Sequence, residues 1–337
     1  MVKRKQNKSC QWRRAARHET SSDPGAMAHV RTYSPAVRVG NWCEDVFMEE
    51  EMLKDFLDKR NRGELTMQKT DFVKENVLRK VDLSVTTDGW LRFGDVVMLV
   101  NPGTDRGDWQ STRDPVAVCM SVDPGTVQSR LSVQAPCPLT GTQDLEPCVR
   151  TAFVVTSVDG TPVGEPLRYS QSFALRTTQG FGGQLYLVSD HRTFLRCANR
   201  SRLQQVSLTD EESFLTWWQV VYLDPQERLE NERLPVPANT KVLVVHCKTN
   251  QCLAVLGNHS MWTIYGKEYE VTAHTFLDSH KAEREMNHWI FVTDVRGTEG
   301  QGITDKLEPT SNLVPNETSE YDAHKGTDDH GEEEKQN

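Results

Sequence analysis

The sequence feature that most constrains the fold is a pattern that occurs three times along the chain. Each copy begins with an apolar residue and a turn former, at Gly94, Ser170 or Asn239, and continues into β-branched and apolar residues that alternate with others. Such alternation is typical of a half-buried strand. A strand that recurs with its own turn predicts a fold built from three similar β units, whose first strands occupy residues 91–101, 167–175 and 236–245.

Two further strand-like segments follow each copy. The second segments occupy residues 116–120, 184–188 and 252–256, and the third occupy residues 152–155, 217–221 and 288–292. The rings of Phe153, Trp218 and Trp289 hold equivalent places in the third segments. Because these rings lie within apolar strands, we expect them to pack in the core instead of stacking on a sugar.

The predicted fold class is an all-β core with the architecture of a β-trefoil, preceded by an amphipathic helical segment. A single unit cannot bury its own apolar face, so three units must share one core. Three units around a pseudo-threefold axis form a barrel that leaves few free strand edges. The alternative is an irregular β-sandwich whose strands resemble one another only because buried strands share a composition.

The chain divides into four parts by composition. Residues 1–33 are predicted to be a disordered basic extension, although their arginines also fit a mitochondrial presequence or a nucleic-acid arm. Residues 34–82 are predicted to form an extended arm and a helical hairpin, with helices near residues 44–60 and 66–79 and a stop at Gly63. The trefoil-like domain occupies residues 83–295, and residues 296–337 form a disordered acidic tail.

Six residues are candidate partner contacts. Trp42 needs a surface to bury its ring, which either this protein's own barrel or a partner supplies. The helical spacing of residues 44–60 gathers Phe47 and Phe56 into an apolar stripe that must dock somewhere. The polar insertion of residues 101–114 carries a large ring in a loop, where recognition residues are common. The candidates are Arg38, Asn41, Trp42, Phe47, Phe56 and Trp109.

Charge and cysteine content exclude several classes of partner. The formal net charge is −9, and the part between the basic and acidic ends is itself acidic. An acidic folded part argues against nucleic-acid binding, which needs a basic face. No apolar run is long enough to span a bilayer, and no signal segment precedes the eight cysteines. We therefore expect a reduced, intracellular protein with no membrane partner.

The sequence contains no pattern that predicts catalysis, a metal site or a cofactor. The histidines and cysteines between His246 and His288 fit no compact zinc-ligand spacing. Gly180-Phe181-Gly182-Gly183 lacks the lysine and the helix of a phosphate loop. Asp278, Ser279 and His280 are adjacent, so their side chains point apart and cannot form a catalytic triad.

Many short segments of the chain, in order from residue 34 to residue 295, resemble one protein family. They include Arg38-Val39-Gly40-Asn41-Trp42, Asp190-His191-Arg192-Thr193, Tyr265-Gly266-Lys267-Glu268 and Asn287-His288-Trp289. The family is that of the cilia- and flagella-associated proteins found as microtubule inner proteins. The resemblance implies a structural, non-catalytic protein of the cytoskeleton in motile cilia and flagella. Its partners would be the luminal tubulin face of axonemal doublets and other inner proteins. The alternative is a trefoil module that binds a sugar or an inositol phosphate.

Overall fold

The computed structural model describes residues 42–104, 110–125 and 132–295. Two helices come first, α1 at Trp42–Arg62 and α2 at Thr66–Val77. The regular elements that follow within the described ranges are strands and single 3-10 turns. The predicted β core preceded by a helical segment is thereby confirmed. The proposed basic extension and acidic tail lie outside these residues, and the division into four parts stays a prediction.

Helix α1 begins two residues before the predicted start and ends at the predicted glycine. Acidic residues occupy its early turns and Lys59, Arg60 and Arg62 its last turn, as the helix dipole favours. Gly63 has a φ of +71°, and the Glu64 N–H donates to the Lys59 carbonyl oxygen at 2.8 Å. This geometry is the usual left-handed end of a helix, for which glycine is the preferred residue.

Helix α2 packs against the β core. Val73 and Val77 are fully buried on its inner face. The Phe72 ring meets the Phe181 ring edge-on, with 5.9 Å between the ring centroids. The backbone also joins the two parts, because the Arg150 N–H donates to the Val77 carbonyl oxygen at 3.1 Å. The short connection at Gly63 therefore attaches α1 to a helix that is held firmly by the core.

Twelve strands fall into three consecutive groups of four, which we call repeats 1, 2 and 3. Repeat 1 contains β2–β5 and is preceded by the short strand β1 (Val85–Thr86). Repeat 2 contains β6–β9, repeat 3 contains β10–β13, and the short strand β14 (Asp294–Val295) follows. The bounds are β2 Val96–Asn101, β3 Val116–Met120, β4 Cys137–Thr142, β5 Ala152–Ser157, β6 Ser172–Thr177, β7 Tyr186–Ser189, β8 Gln204–Thr209, β9 Trp218–Val221, β10 Lys241–His246, β11 Leu253–Thr263, β12 Gly266–Ala273 and β13 His288–Val292.

Strand pairing closes the sheet on itself. Ten strands form an antiparallel barrel in the order β12, β4, β3, β2, β13, β10, β9, β6, β7, β8 and back to β12. Within it, β5 bridges β2 and β6, so the first and last strands of all three repeats also form a six-strand circuit. The inner hairpins meet through β4–β8, β8–β12 and β12–β4 pairs. Each type of contact between repeats therefore occurs three times, and closure leaves few open edges.

A ring of three backbone hydrogen bonds joins the repeats just before their first strands. The Leu91 N–H donates to the Val236 carbonyl oxygen at 2.9 Å. The Val236 N–H donates to the Leu167 carbonyl oxygen, and the Leu167 N–H donates to the Leu91 carbonyl oxygen, both at 2.8 Å. All three side chains are fully buried. These residues open the three copies of the sequence pattern, so the repeat seen in the sequence corresponds to a physical contact.

The turn that follows this ring adopts the same unusual backbone conformation in each repeat. Gly94, Ser170 and Asn239 have φ values of +93°, +62° and +57°, all in the left-handed region. Residues other than glycine rarely adopt it, and asparagine tolerates it best. At Asn239 two side-chain hydrogen bonds offset the cost of this backbone conformation. Its amide oxygen accepts the Thr293 backbone N–H at 3.0 Å, and its amide nitrogen donates to the Thr293 hydroxyl at 3.1 Å. The three predicted turns are confirmed.

The three equivalent rings are buried, as the sequence predicted. Phe153, Trp218 and Trp289 lie on the last strand of each repeat and belong to one core cluster. The indole N–H of Trp218 donates to the Leu187 carbonyl oxygen of β7 at 3.0 Å. The indole N–H of Trp289 donates to the Leu253 carbonyl oxygen of β11 at 2.9 Å. Both acceptors lie on the second strand of their repeat, so the two indoles satisfy their polar group in the same way.

One strand of each repeat was absent from the sequence prediction, namely β4, β8 and β12. Prolines at positions 136 and 138 are typical of a loop, yet the second lies within a strand. Pro138 lies in β4 opposite Ser207 of β8, near the start of the strand. At that end of a strand, the missing N–H costs little.

A buried ion pair links repeat 1 to repeat 3. The guanidinium group of Arg150, just before β5, contacts the carboxylate of Glu268 in β12, and both side chains are almost fully buried. The Thr140 hydroxyl donates to the second carboxylate oxygen at 2.9 Å. The Arg150 guanidinium also lies over the Tyr265 ring, 3.8 Å from its centroid. These contacts compensate for the loss of hydration that two buried charges suffer.

Replacing Leu167 with alanine should lower the free energy of unfolding by about 2–5 kcal/mol, because it leaves a cavity in the core at one of the three residues of the hydrogen-bonded ring. The matched control is Leu229→Ala at an exposed site, which should change stability by less than about 0.5 kcal/mol. Urea denaturation monitored by tryptophan fluorescence measures both. Equal stability of the two variants would contradict the central role of the ring.

Replacing Arg150 with methionine should destabilise the fold by about 3–5 kcal/mol, because Glu268 is left charged and buried without its partner. The double variant Arg150→Met/Glu268→Leu should recover most of that loss, since it removes both charges. The same denaturation experiment measures the difference. A double variant no more stable than the single one would show that the pair does not act as a unit.

Candidate functional site

The structure places two of the six candidate residues on one exposed helix. Phe47 and Phe56 both lie on α1, with 64% and 47% of their surface exposed. Trp42 is the first residue of α1, but its side chain lies outside the described part. Arg38, Asn41 and Trp109 also lie outside the described residues. The roles assigned to these four residues therefore stay predictions.

Five large apolar side chains of α1 are exposed at its surface. Met48, Met52 and Leu53 are exposed together with the two phenylalanines. Between residues 46 and 62, no side chain is buried. Several large apolar side chains exposed on one surface element usually mark an interaction site, because moving each of them out of water against a partner is energetically favourable. We call this surface the α1 face.

A second feature was not predicted from the sequence. A cleft of about 510 Å³ opens between the inner hairpins of the three repeats. Its floor and walls are mainly apolar, and the exposed ring of Trp262 lines it. Glu270 and Gln205 contribute polar groups. Residues of all three repeats form this cleft, so no local sequence pattern could reveal it. The principal apolar residues are Val122, Leu139, Val206, Met261, Ile264 and Val271.

The buried thiols are not poised for nucleophilic chemistry. Burial raises the pKa of Cys119 and of Cys137 to about 12, and that of Cys252 to about 11. A thiol with such a pKa is protonated at neutral pH and reacts poorly. The Arg150 guanidinium donates to the Cys119 sulfur at 3.2 Å, but its effect on the pKa is smaller than that of burial.

The buried ring of His246 is occupied by protein partners. The two ring nitrogens of His246 lie 2.9 Å from the Thr249 hydroxyl and from the Leu215 carbonyl oxygen. Burial lowers the pKa of His246 and of His288. Within residues 42–104, 110–125 and 132–295, no group of three or more His, Cys, Asp or Glu side chains could hold a metal ion. The Asp278 carboxylate accepts the backbone N–H groups of His280 and Ala282, so it holds a turn together.

Comparison with known proteins identifies the family. A family described as the cilia- and flagella-associated protein 161-like domain matches residues 69–294. A Danio rerio protein named cilia- and flagella-associated protein 161 is 53% identical over 283 residues, covering 82% of this chain and 93% of the relative. The Bos taurus protein of the same name is 45% identical, covering 77% and 82%. This chain belongs to the cilia- and flagella-associated protein 161-like family. The resemblance inferred from short segments is thereby confirmed.

The matched region of this cilia- and flagella-associated protein 161-like chain begins at the fourth residue of α2 and contains the whole barrel. Among solved structures, an SDF2-like protein from Arabidopsis thaliana aligns with a TM-score of 0.43 and 14% identity, covering 60% of this chain and 94% of that one. No helix in the described part of the chain combines the length and apolar character that a bilayer span requires.

The α1 face should contribute little to the stability of this family member. The free energy of unfolding of the double variant Phe47→Ser/Phe56→Ser should lie within about 0.5 kcal/mol of that of the original chain, because about half or more of each side chain already faces water. The contrast is Val77→Ser in α2, which should cost more than about 2 kcal/mol because Val77 is fully buried. Thermal unfolding followed by circular dichroism measures all three proteins. A large loss in the double variant would mean that α1 packs against the fold.

Proposed function

We propose that this chain is a structural, non-catalytic component of the ciliary and flagellar axoneme. In this proposal it binds the luminal face of doublet microtubules, contacts tubulin and neighbouring inner proteins, and stabilises the doublet during beating. Membership of a family named for cilia and flagella supports the cellular setting. The luminal position and the tubulin contact are what the family resemblance implies, and the exposed apolar side chains of α1 support a stable contact with a partner.

The observation that carries the proposal is the α1 face. Five large apolar side chains remain exposed on a helix that is attached to a rigid core through α2. Burying each of them against a partner is worth about 1.5–3 kcal/mol before the entropic costs of association. A helix that presents such anchors suits a permanent interface better than a transient one.

We also infer that the barrel is a β-trefoil. The threefold recurrence of strand pairs, of left-handed turns and of the hydrogen-bonded ring supports this interpretation. A closed barrel with its apolar surface inside resists deformation, because interiors are densely packed and transmit strain. Such stiffness is the property that a wall-supporting protein requires.

The second candidate function is a ligand-binding module for a sugar or an inositol phosphate. The cleft between the inner hairpins favours it, because its volume suits a small molecule. The burial of Phe153, Trp218 and Trp289 speaks against a sugar site built from one exposed ring per repeat. Glycan and phosphoinositide arrays probed with the full chain separate the two candidates, since specific retention on either would favour the module.

The proposal predicts that the chain remains with doublets when axonemes are extracted with mild salt that leaves the doublets intact. Apolar contacts are insensitive to salt screening, unlike surface ion pairs. The Phe47→Ser/Phe56→Ser variant, expressed in ciliated cells that lack the endogenous protein, should enter cilia but be extracted by the same treatment. Immunoblotting of the pellet and the supernatant measures the distribution.

The control for this experiment is Val163→Ser/Leu229→Ser, which removes two apolar side chains that are even more exposed and lie in loops of the barrel. It should stay in the doublet pellet. Release of the original chain by mild salt would contradict the proposal. Density for the chain on the outer surface of native doublets would contradict the luminal position.

A further inference from the structure

The loop between β7 and β8 is a basic segment in an acidic protein. Residues 190–202 contain Arg192, Arg196, Arg200 and Arg202 against a single acid, Asp190, which gives a formal charge of +3. The whole chain carries −9. Asp190 is itself neutralised by Lys248, whose ammonium group lies 3.0 Å from its carboxylate. The loop therefore presents an excess of positive charge at one site.

The loop is held in a defined conformation at its base. The buried Glu270 carboxylate accepts the backbone N–H groups of Arg200 and Ser201, both at 2.8 Å. The Ala198 N–H donates to the Leu203 carbonyl oxygen at 2.9 Å, which closes a turn. Each bond to a charged carboxylate is stronger than a neutral one. A partner would therefore not have to order this part of the loop on binding.

The tip of the loop presents two apolar side chains to water. Phe194 is 95% exposed and Leu195 is 90% exposed. The turn beneath them is closed by Thr193, whose N–H donates to the Arg196 carbonyl oxygen at 3.0 Å and whose hydroxyl accepts the Arg196 N–H at 2.9 Å. Aromatic residues beside arginines are the combination that dominates binding energy at protein interfaces.

The arginines of the loop are available for a partner. All four are exposed. Within the described residues, none of their guanidinium groups forms an ion pair. The side chain of Arg202 bonds only weakly, to the Cys197 sulfur at 3.7 Å. An arginine side chain pairs well with carboxylates, because its planar group can donate two parallel hydrogen bonds.

The loop and the cleft belong to one surface. Ala198 and Asn199, at the base of the loop, line the cleft together with Trp262, whose side chain is 82% exposed. Apolar anchors thus stand beside a concave, mainly apolar site. Asp123 and Glu270 also line that site, so the carboxylates of a partner would have to lie over the loop arginines and not in the cleft. We call the loop and the cleft together the hairpin surface. It lies on the barrel and contains no residue of α1.

We propose that the hairpin surface docks an acidic segment of a partner protein that carries an apolar side chain. In this arrangement the apolar side chain enters the cleft beside Trp262, and the carboxylates of the segment pair with the loop arginines. Charge complementarity selects an acidic partner, because like charges across an interface are strongly unfavourable. The proposal goes beyond the one made above, since it concerns a different surface from the α1 face.

A protein segment fits this surface better than a nucleic acid or a membrane. Phosphate binding would use the arginines but leave the apolar cleft and Trp262 without a contact, and a single basic loop offers few phosphate contacts. A flat bilayer could accept Phe194 and Leu195 but could not fill a concave cleft. A peptide chain supplies carboxylates and an inserted side chain at once.

The test uses the full chain and short fluorescein-labelled peptides in a binding experiment monitored by fluorescence anisotropy. The probe peptide contains Glu, Asp and Leu, and the reference peptide replaces each acid by its amide. The acidic peptide should bind, the amide peptide should bind at least about ten-fold more weakly, and salt should weaken the first selectively. Blocking cleft entry with Asn199→Trp, at an exposed residue of the lining, should reduce binding of the acidic peptide.

Charge reversal provides the decisive variant. Arg192→Glu/Arg196→Glu should weaken binding of the acidic peptide at least about ten-fold and create binding to a peptide in which lysine replaces each acid. Phe194→Ser/Leu195→Ser should weaken binding of the acidic peptide to a similar degree. The matched control is Lys54→Glu/Lys241→Glu, which makes the same charge change at exposed sites elsewhere and should leave binding unchanged. Thermal unfolding shows that each variant is folded.

Three results would overturn the proposal. The first is that the original chain does not bind the acidic peptide, or that it binds the peptide no more tightly than the charge-reversed chain does. The second is binding to phosphatidylserine vesicles or single-stranded DNA that requires the same residues while the peptide does not bind. The third is self-association in sedimentation experiments that charge reversal abolishes, which would assign the surface to a second copy. The Phe47→Ser/Phe56→Ser variant should bind the peptide normally, so failure of the α1 proposal is distinguishable from failure of this one.

Discussion

The ring of hydrogen bonds between Leu91, Val236 and Leu167 is the contact on which the rest of the structure depends. Each of these residues belongs to a different repeat, and each gives its N–H to one neighbour and its carbonyl oxygen to the other. Such a ring is complete only when all three repeats are in place. A single repeat would expose the apolar face that carries its large ring, so the repeats gain stability only by closing together.

Closure explains why the functional features lie outside the barrel core. The inward side chains are committed to packing, and the buried charges Arg150 and Glu268 are committed to each other. Accessible, unpaired groups are therefore found at the outer surface of the barrel and on its additions. Among the described residues, the α1 face and the hairpin surface both leave large apolar side chains exposed, and they differ in character. The α1 face is purely apolar in its exposed anchors, whereas the hairpin surface combines apolar anchors with positive charge.

Much of the fold could be predicted because it depends on patterns of a few neighbouring residues. Gly94, Ser170 and Asn239 predicted three turns, and the alternation after each of them predicted a strand. Gly63 predicted the end of α1. The strands β4, β8 and β12 were missed for a physical reason. Pro138 is typical of a loop, although it lies in β4. Strand β8 mixes glutamines with isolated apolar residues, because only alternate side chains of this strand face the core. Their strand character depends on pairing with one another across repeats, which a local pattern does not record.

The candidate site was predictable only in part. The apolar stripe on α1 was visible in the sequence, but the same reasoning applied equally to α2, which turned out to be docked. The burial of Val73 and Val77 and the exposure of Phe47 and Phe56 depend on where each helix lies relative to the barrel. The hairpin surface left no recognisable signal, because its cleft is assembled from side chains of all three repeats. The basic loop was present in the sequence, but its charge acquired meaning only beside Trp262 and the cleft.

The sequence by itself determined that three β units share one core, that a helical segment precedes them, and that their large rings are buried. These properties follow from periodicity and turn chemistry, which act over a few residues. Only the tertiary structure decided which helix face stays exposed, how the repeats pair, and which distant side chains surround the cleft. Those properties follow from contacts between residues far apart in the chain, where packing and closure outweigh local preference.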